Sequence, residues 1–202
     1  MKKPADDFSR LFYFCLMMKL AKDFYLNEDV VDLSKNLLGK RLCTYKNGIY
    51  TSALICETEA YAGIKDKASH AYGNRRTKRT ESMYQSGGIA YVYLCYGIHH
   101  LFNVVTNTVD IPHAVLIRGA YAEEGLEHIL KRRNQQRLSK QLLIGPGKLS
   151  QGLGISTKDD RIDLCGNKIW IEESEYSPSN AQIKISPRIG IDYAEEDALL
   201  PY

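Results

Sequence analysis

Tryptophan is nearly absent from this chain of 202 residues, which has one, beside five phenylalanines. The longest apolar run near the start, Leu11–Met18, is too short to cross a bilayer. It follows Asp6 and Asp7 and lacks a small-residue cleavage site, so no signal peptide is read. Cysteine is sparse and odd in number: Cys15, Cys43, Cys56, Cys95 and Cys165, with no Cys-x-x-Cys pair. That pattern argues against a disulfide framework or a zinc site and suits a reducing cytosol. Cys43, Cys56 and Cys95 sit in apolar, strand-like runs and are expected to pack as small hydrophobes. Net charge is only +3, short of the strongly basic balance of many nucleic-acid-binding domains. There is no dinucleotide fingerprint, no phosphate-binding loop of the Walker type, no repeat and no low-complexity tail.

Tyrosine, by contrast, is abundant at 14 residues, and it joins a stacking face to a polar tip. The basic residues are clustered. Arg75, Arg76, Lys78 and Arg79 form one group, and Lys131, Arg132, Arg133 and Arg137 another. A local basic face can meet phosphate when net charge is modest. Length and composition fit one globular domain with a full core. Met17 and Met18 precede a better-patterned segment, so residues 1–17 are expected to be an extension and 18–202 the domain.

Val30, Leu33, Leu37 and Leu38 recur at helical spacing, with Asn27 as the expected cap and Gly39 as the stop. Arg41–Lys46 and Ile49–Ala60 read as strands joined by Asn47-Gly48, a strong hairpin signal. Residues 62–82 read as a long surface loop. Ala90–Tyr96 and Ile98–Asn107 predict a second hairpin turning at Tyr96-Gly97, with Tyr91 and Tyr93 on one face and Tyr96 at its tip. His113–Ala120 is a further strand. Ala122–Asn134 is a helix whose Lys131–Arg133 end complements its dipole, Gly145-Pro-Gly-Lys148 opens a short helix, and Ile169–Glu172 and Ile183–Ile191 complete the strands. The expected fold is α+β: a single compact domain, mostly an antiparallel curved sheet with surrounding helices and a protruding β-hairpin.

The chemistry concentrates in Leu54–His70. Glu57 and Glu59 point to one face of a strand, and that face cannot be ordinary core, because an unpaired buried carboxylate costs several kcal/mol, roughly. Arg118, late in an apolar run, needs a partner, and a carboxylate is the natural one. With Tyr61, His70 and Tyr93, Glu59 makes a slot for a flat, electron-poor ring. A base cannot be processed inside a duplex, so it must be flipped, with a wedge such as Tyr96 filling the gap. The carboxylate can then deprotonate a water that attacks the sugar carbon. The plain alternative is a rim of solvated side chains at a strand end.

Glu57-Thr-Glu-Ala-Tyr61, His70, Tyr91-Val-Tyr-x-x-Tyr96-Gly97, Asn103, Arg118 and Gly145-Pro-x-Lys148 resemble the alkyladenine (3-methyladenine) DNA glycosylase family over about residues 20 to 202. The resemblance implies that Glu59 is the general base and that Arg118 helps place the water. It implies that Tyr61, His70 and Tyr93 stack on the flipped base, that Tyr96 enters the minor groove, and that Asn103 crowds the 2-amino group of guanine. Arg75, Thr77, Met83 and Lys148 fall where the family approaches the DNA backbone or the neighbouring base pair. No lysine suited to a Schiff base adjoins Glu59, so hydrolysis without strand cleavage is expected.

The expectation is therefore a cytoplasmic, monomeric base-excision enzyme, nucleoid-associated in a bacterium. It would act on alkylated or deaminated purines in double-stranded DNA, without metal, cofactor or membrane. Two rivals stand beside it. A non-catalytic nucleic-acid-binding module would keep the basic loop but has no need of Glu59 paired with Arg118. A small glycoside hydrolase would need Glu57 and Glu59 to flank a bond, whereas i,i+2 positions on one strand lie on the same side of it.

Overall fold

The computed structural model describes residues 19–202, so Cys15 and the expected extension and start at residues 1–18 lie outside the described residues. Six strands form one antiparallel curled sheet: β1 (Arg41–Lys46), β2 (Ile49–Tyr61), β3 (Ala90–Cys95), β4 (His99–Thr106), β5 (His113–Ala122) and β6 (Ile169–Glu172), in the order β3-β4-β5-β2-β1-β6. Three α-helices pack against it: α1 (Val30–Asn36), α2 (Leu126–Arg132) and α3 (Pro146–Leu153). No helix among the described residues is long and apolar enough to cross a membrane. The expected α+β domain with an antiparallel curved sheet and a projecting hairpin is the one observed.

One sheet face carries the main core. Val92, Phe102, Val104, Val115 and Ile117 project into it, with Leu33 of α1 and Leu149 and Leu153 of α3 in the same apolar cluster. The opposite face carries Tyr91, Val105 and Ala114, packed with Ala71, Met83 and Tyr84 from the segment between β2 and β3. That segment is therefore more than a surface loop. It winds through short 3-10 turns at Gly63–Lys65, Tyr72–Asn74 and Glu81–Tyr84, and it buries Ala68, Ala71 and Met83.

Several expected boundaries shift for physical reasons. Asp29, not Asn27, caps α1, its carboxylate accepting from the Val31 and Asp32 N–H groups, while Asn27 accepts from Asp29 N–H. Strand β5 runs on to Ala122, which pairs with Ala53, so the following helix starts only at Leu126 after Gly125. Gly125 has φ +66°, and a Cβ there would sit 2.3 Å from the Tyr50 carbonyl oxygen. The basic end of α2 is structural: Arg132 donates to Gly152 O and Arg133 to Leu142 O. The expected strand Ile183–Ile191 does not form. Pro187 has no N–H to give a ladder, Arg188 turns inward, and the Ile189 N–H bonds a side chain instead.

The β1–β2 turn has Asn47 at φ +53° and Gly48 at φ +76°, as a primed hairpin turn requires. The β3–β4 hairpin pairs Cys95 with His99, so its loop is Tyr96-Gly97-Ile98, one residue longer than a two-residue turn.

Candidate active site

Strand β2 changes faces midway. Ala53 and Ile55 point into the main core, as does Ala60, yet these residues are of opposite parity. The switch is a pair of offsetting irregularities. Ile55 lies opposite Ala120, Glu57 opposite Gly119 and Thr58 opposite Ile117, so Cys56 is an extra residue on β2 and Arg118 an extra residue on β5. Beyond the bulge Thr58 and Ala60 face the helices, and Thr58 Oγ1 meets Ser34 of α1 at 2.9 Å. Glu57, Glu59 and Tyr61 turn to the other face. Gly119 leaves room for this, because a Cβ there would lie 3.1 Å from Glu57 Oε2.

Glu59 is 4% exposed, with a partner on each carboxylate oxygen. Its Oε1 accepts from Ile189 N–H at 2.8 Å and faces Arg118 Nη1 at 3.3 Å. Its Oε2 accepts from the Tyr61 hydroxyl at 2.9 Å. Arg118 also donates through Nε to Glu57 Oε1 at 2.9 Å, so it bridges the two carboxylates. Burial tends to lower the Arg118 pKa, but Glu59 and Glu57 outweigh it and raise it overall. Burial, and then Glu59, push the Tyr61 phenol far up, so it remains a donor.

Tyr61 is backed by Arg188, whose guanidinium carbon lies 4.9 Å from its ring centre and 5.1 Å from that of Tyr202. Arg188 is fully buried and bidentate to Asp66, at 2.5 and 2.9 Å. Tyr93, Tyr91 and His70 cluster nearby. His70 is edge-on to Tyr93, with ring centres 4.7 Å apart, and its Nδ1 meets the Tyr91 hydroxyl at 2.9 Å. Burial, helped by Arg79 and Arg75, lowers the His70 pKa from its ordinary 6.5 to about 4, so the imidazole is neutral at pH 7. Burial raises Tyr91 to about 12 and Tyr93 further.

Glu59, Tyr61, His70, Tyr93, Asn103 and Arg118 line a single cavity of about 600 Å³, together with Tyr96 and Lys148 at its edge. Asn103 is held by its Nδ2 donating to the Tyr91 carbonyl. Tyr96 is 89% exposed at the hairpin tip, with φ +51°. Lys148, exposed in the first turn of α3, reaches the same rim, because Gly145 N–H donates to Arg118 O and seats that helix beside β5. Met83 lines the cavity wall while 2% exposed, so it belongs to its packing rather than to an open surface. Arg75 and Thr77 are exposed on the preceding loop and do not line the cavity; the Thr77 N–H donates to Thr80 Oγ1. A second cavity of about 650 Å³ lies between α1, β2 and residues 176–202 and shares only Glu59 and Ile189 with the first.

Sequence reasoning did not find five residues. Tyr91 lies on the face the alternation predicts, but the pattern gives it no role. Arg79 reads only as part of a basic run. Asp66, Arg188 and Ile189 gave no signal, because their partnership spans more than 120 positions. Among the described residues no group of three or more His, Cys, Asp or Glu is disposed to hold a metal ion.

The fold and site together define a curled antiparallel-sheet domain with a buried Glu–Arg pair in an aromatic cavity, beside an exposed tyrosine on a hairpin. Sequence comparison is more specific. The profile of the Methylpurine-DNA glycosylase (MPG) family matches residues 23–202, and the chain belongs to that family. It is similar to proteins carrying the name "Putative 3-methyladenine DNA glycosylase" in several bacteria. It is 48% identical over 184 residues to that of Chlamydia abortus, covering 91% of this chain and 95% of the relative. It is 44% identical over 193 residues to that of Bacillus cytotoxicus, covering 92% and 94%. The corresponding figure for Desulfitobacterium hafniense is 42% over 193 residues, covering 92% and 94%.

Proposed function

We propose that this DNA glycosylase flips alkylated or deaminated purines out of duplex DNA and hydrolyses the N-glycosidic bond with a water activated by Glu59. The observation that carries the reading is the Glu59 carboxylate. It is buried, held by hydrogen bonds from Tyr61 of β2 and the Ile189 N–H of the C-terminal segment and by an ion pair with Arg118 of β5, and set in the wall of an aromatic cavity. A rim of solvated side chains would have no need of that arrangement, and neither would a passive binding module.

The roles follow from placement. Tyr61 forms one wall and Tyr93 with His70 another, and a purine stacks between them. Neutral His70 accepts or donates a hydrogen bond without adding charge. Asn103, pinned by its bond to the Tyr91 carbonyl, narrows the slot against an exocyclic 2-amino group. Tyr96 fills the place of the flipped base, and Lys148, Arg75 and Thr77 meet the sugar–phosphate backbone. Glu59 takes a proton from water while the C1′–N bond opens through an oxocarbenium-like transition state, and Arg118 orients both the carboxylate and the water. The one lysine lining the cavity, Lys148, stands exposed on α3, away from the Glu59 strand, which supports hydrolysis without strand cleavage.

The test is a labelled duplex with one lesion, treated with protein and then alkali. Alkali-dependent breaks with wild type and none with Glu59→Gln, at comparable lesion binding, are expected. Breaks without alkali would refute the monofunctional reading, and equal loss of binding and turnover in Glu59→Gln would refute the assigned base.

A further inference from the structure

Two cations line the aromatic cavity without a carboxylate partner among the described residues: Arg79 and Lys148. Three nearby arginines are neutralised. Arg118 bridges Glu57 and Glu59, Arg188 is clamped to Asp66, and Arg76 pairs with Glu81 and Asp110. Arg79 is further distinguished by its seat. Its guanidinium carbon lies 4.8 Å from the ring centre of Tyr93, one wall of the slot. Its charge is also felt by the groups around it, lowering the pKa of His70 after burial has done so and acting against the burial that raises Tyr91. His70 is neutral, and Arg75, which also acts on it, does not line the cavity, so Arg79 is the unpaired cation set against Tyr93 in the cavity wall.

That charge matters differently for two kinds of purine. When the C1′–N9 bond breaks, its electron pair stays on the purine. A neutral purine such as hypoxanthine or 1,N6-ethenoadenine therefore leaves as an anion, and solvent then returns to it the proton that water lost to Glu59. A purine alkylated at N3 or N7 carries a positive charge in DNA and leaves neutral. A fixed cation beside the ring stabilises the first departure and opposes binding of the second. Selectivity for the cationic lesions then comes from their own lability, not from this wall.

We propose that Arg79 is a specificity-determining residue that stabilises the departing anion of neutral lesion purines and thereby tilts the site toward them over cationic alkylpurines. The proposal rests on the purine-excision reading above. Lys148, which has no such stacking contact, serves as the comparison for a cation that meets only phosphate.

The experiment is single-turnover excision at protein well below saturation, so that the second-order rate constant compares each departure with free protein and free duplex and retains the repulsion of a cationic lesion. One duplex carries hypoxanthine and the other 7-methylguanine. Wild type, Arg79→Met, Arg79→Lys and Lys148→Met are compared. Loss of one preorganised charge-stabilising donor commonly costs 10²–10³ in rate, and for the exposed Arg79 a loss of about tenfold is expected. Arg79→Met should thus lower the hypoxanthine-to-7-methylguanine rate ratio about tenfold. Arg79→Lys should restore part of it, and Lys148→Met should move both rates by a common factor. A ratio unchanged in Arg79→Met overturns the proposal, as does an equal fall in both rates, which would mark Arg79 as a phosphate contact. Wild type that excises 7-methylguanine but never hypoxanthine overturns it while leaving purine excision intact. Wild type that excises neither removes both.

Discussion

Replacing Arg188 by methionine tests how the C-terminal segment holds the site together. The guanidinium makes two bonds to Asp66, at 2.5 and 2.9 Å, and others to Ala60 O and Asp197 O at 2.9 and 3.1 Å. It also lies between the rings of Tyr61 and Tyr202. Methionine keeps the apolar stem and leaves Asp66 without its charge partner. Breaking a buried pair from one side costs about 3–5 kcal/mol. Here the lower end is expected, about 3 kcal/mol by the same rule, because Asp66 keeps backbone donors at Ala62 and Ala68. For a chain of this length that corresponds to a fall in melting temperature of about 6–12 °C. The single tryptophan, Trp170, is 6% exposed in β6, so its fluorescence follows urea unfolding. The double variant Asp66→Asn/Arg188→Met should lose less than the sum of the single losses, by at least about 1 kcal/mol, since the groups are in direct contact. A single-variant loss below about 1 kcal/mol, or strict additivity in the cycle, would refute the claim that this pair ties the segment down. Excision should also slow in Arg188→Met well below its melting temperature, because the next residue supplies the N–H on Glu59.

Two further outcomes follow from single side chains. The His70 pKa is depressed from 6.5 to about 4 on folding, so the unfolded chain takes up the proton first; stability should fall as pH drops from about 6.5 toward 4. In His70→Phe the urea midpoint should depend less on pH across that window, and an unchanged dependence would argue against a buried neutral imidazole. Tyr96 is 89% exposed at the hairpin tip, so Tyr96→Ser should change stability by less than about 0.5 kcal/mol. It should nevertheless weaken flipping, read as lower affinity for a lesion duplex and less fluorescence from a flipped reporter base; wild-type values for both would remove Tyr96 from the wedge role.

Much of the fold was legible because its signals are local. Asn47-Gly48 between two alternating runs announced the β1–β2 hairpin, and the observed strands end within a residue of those expected. The β3–β4 hairpin was equally plain, since Tyr91 and Tyr93 alternate with Val92 and Leu94 and a glycine follows Tyr96. Errors came where tertiary contact overrides local pattern. The isoleucines of 183–191 alternate like a strand, yet Pro187 and the inward turn of Arg188 spend that segment on the site. The loop 62–82 looks polar, yet Asp66 fixes it by accepting from the Ala62 and Ala68 N–H groups and from Arg188.

The sequence by itself determined which side chains are the candidates for the proposed chemistry, because residue type and short spacing are local properties. Two glutamates two apart, a tyrosine two further on and a tyrosine at a hairpin tip can be read without any fold. Only the tertiary structure decided which way they face and what holds them. The paired irregularities at Cys56 and Arg118 reverse the inward parity of β2 and β5, taking Glu57 and Glu59 off the core face to which Ala53 and Ile55 point. A strand's side chains alternate with period two, so one inserted residue exchanges its faces, and nothing in the local sequence marks where the partner strand will accept it. The Ile189 N–H on Glu59 and the Arg188 clamp behind Tyr61 are long-range in the same sense. Their energy depends on a juxtaposition that exists only after the chain has closed on itself.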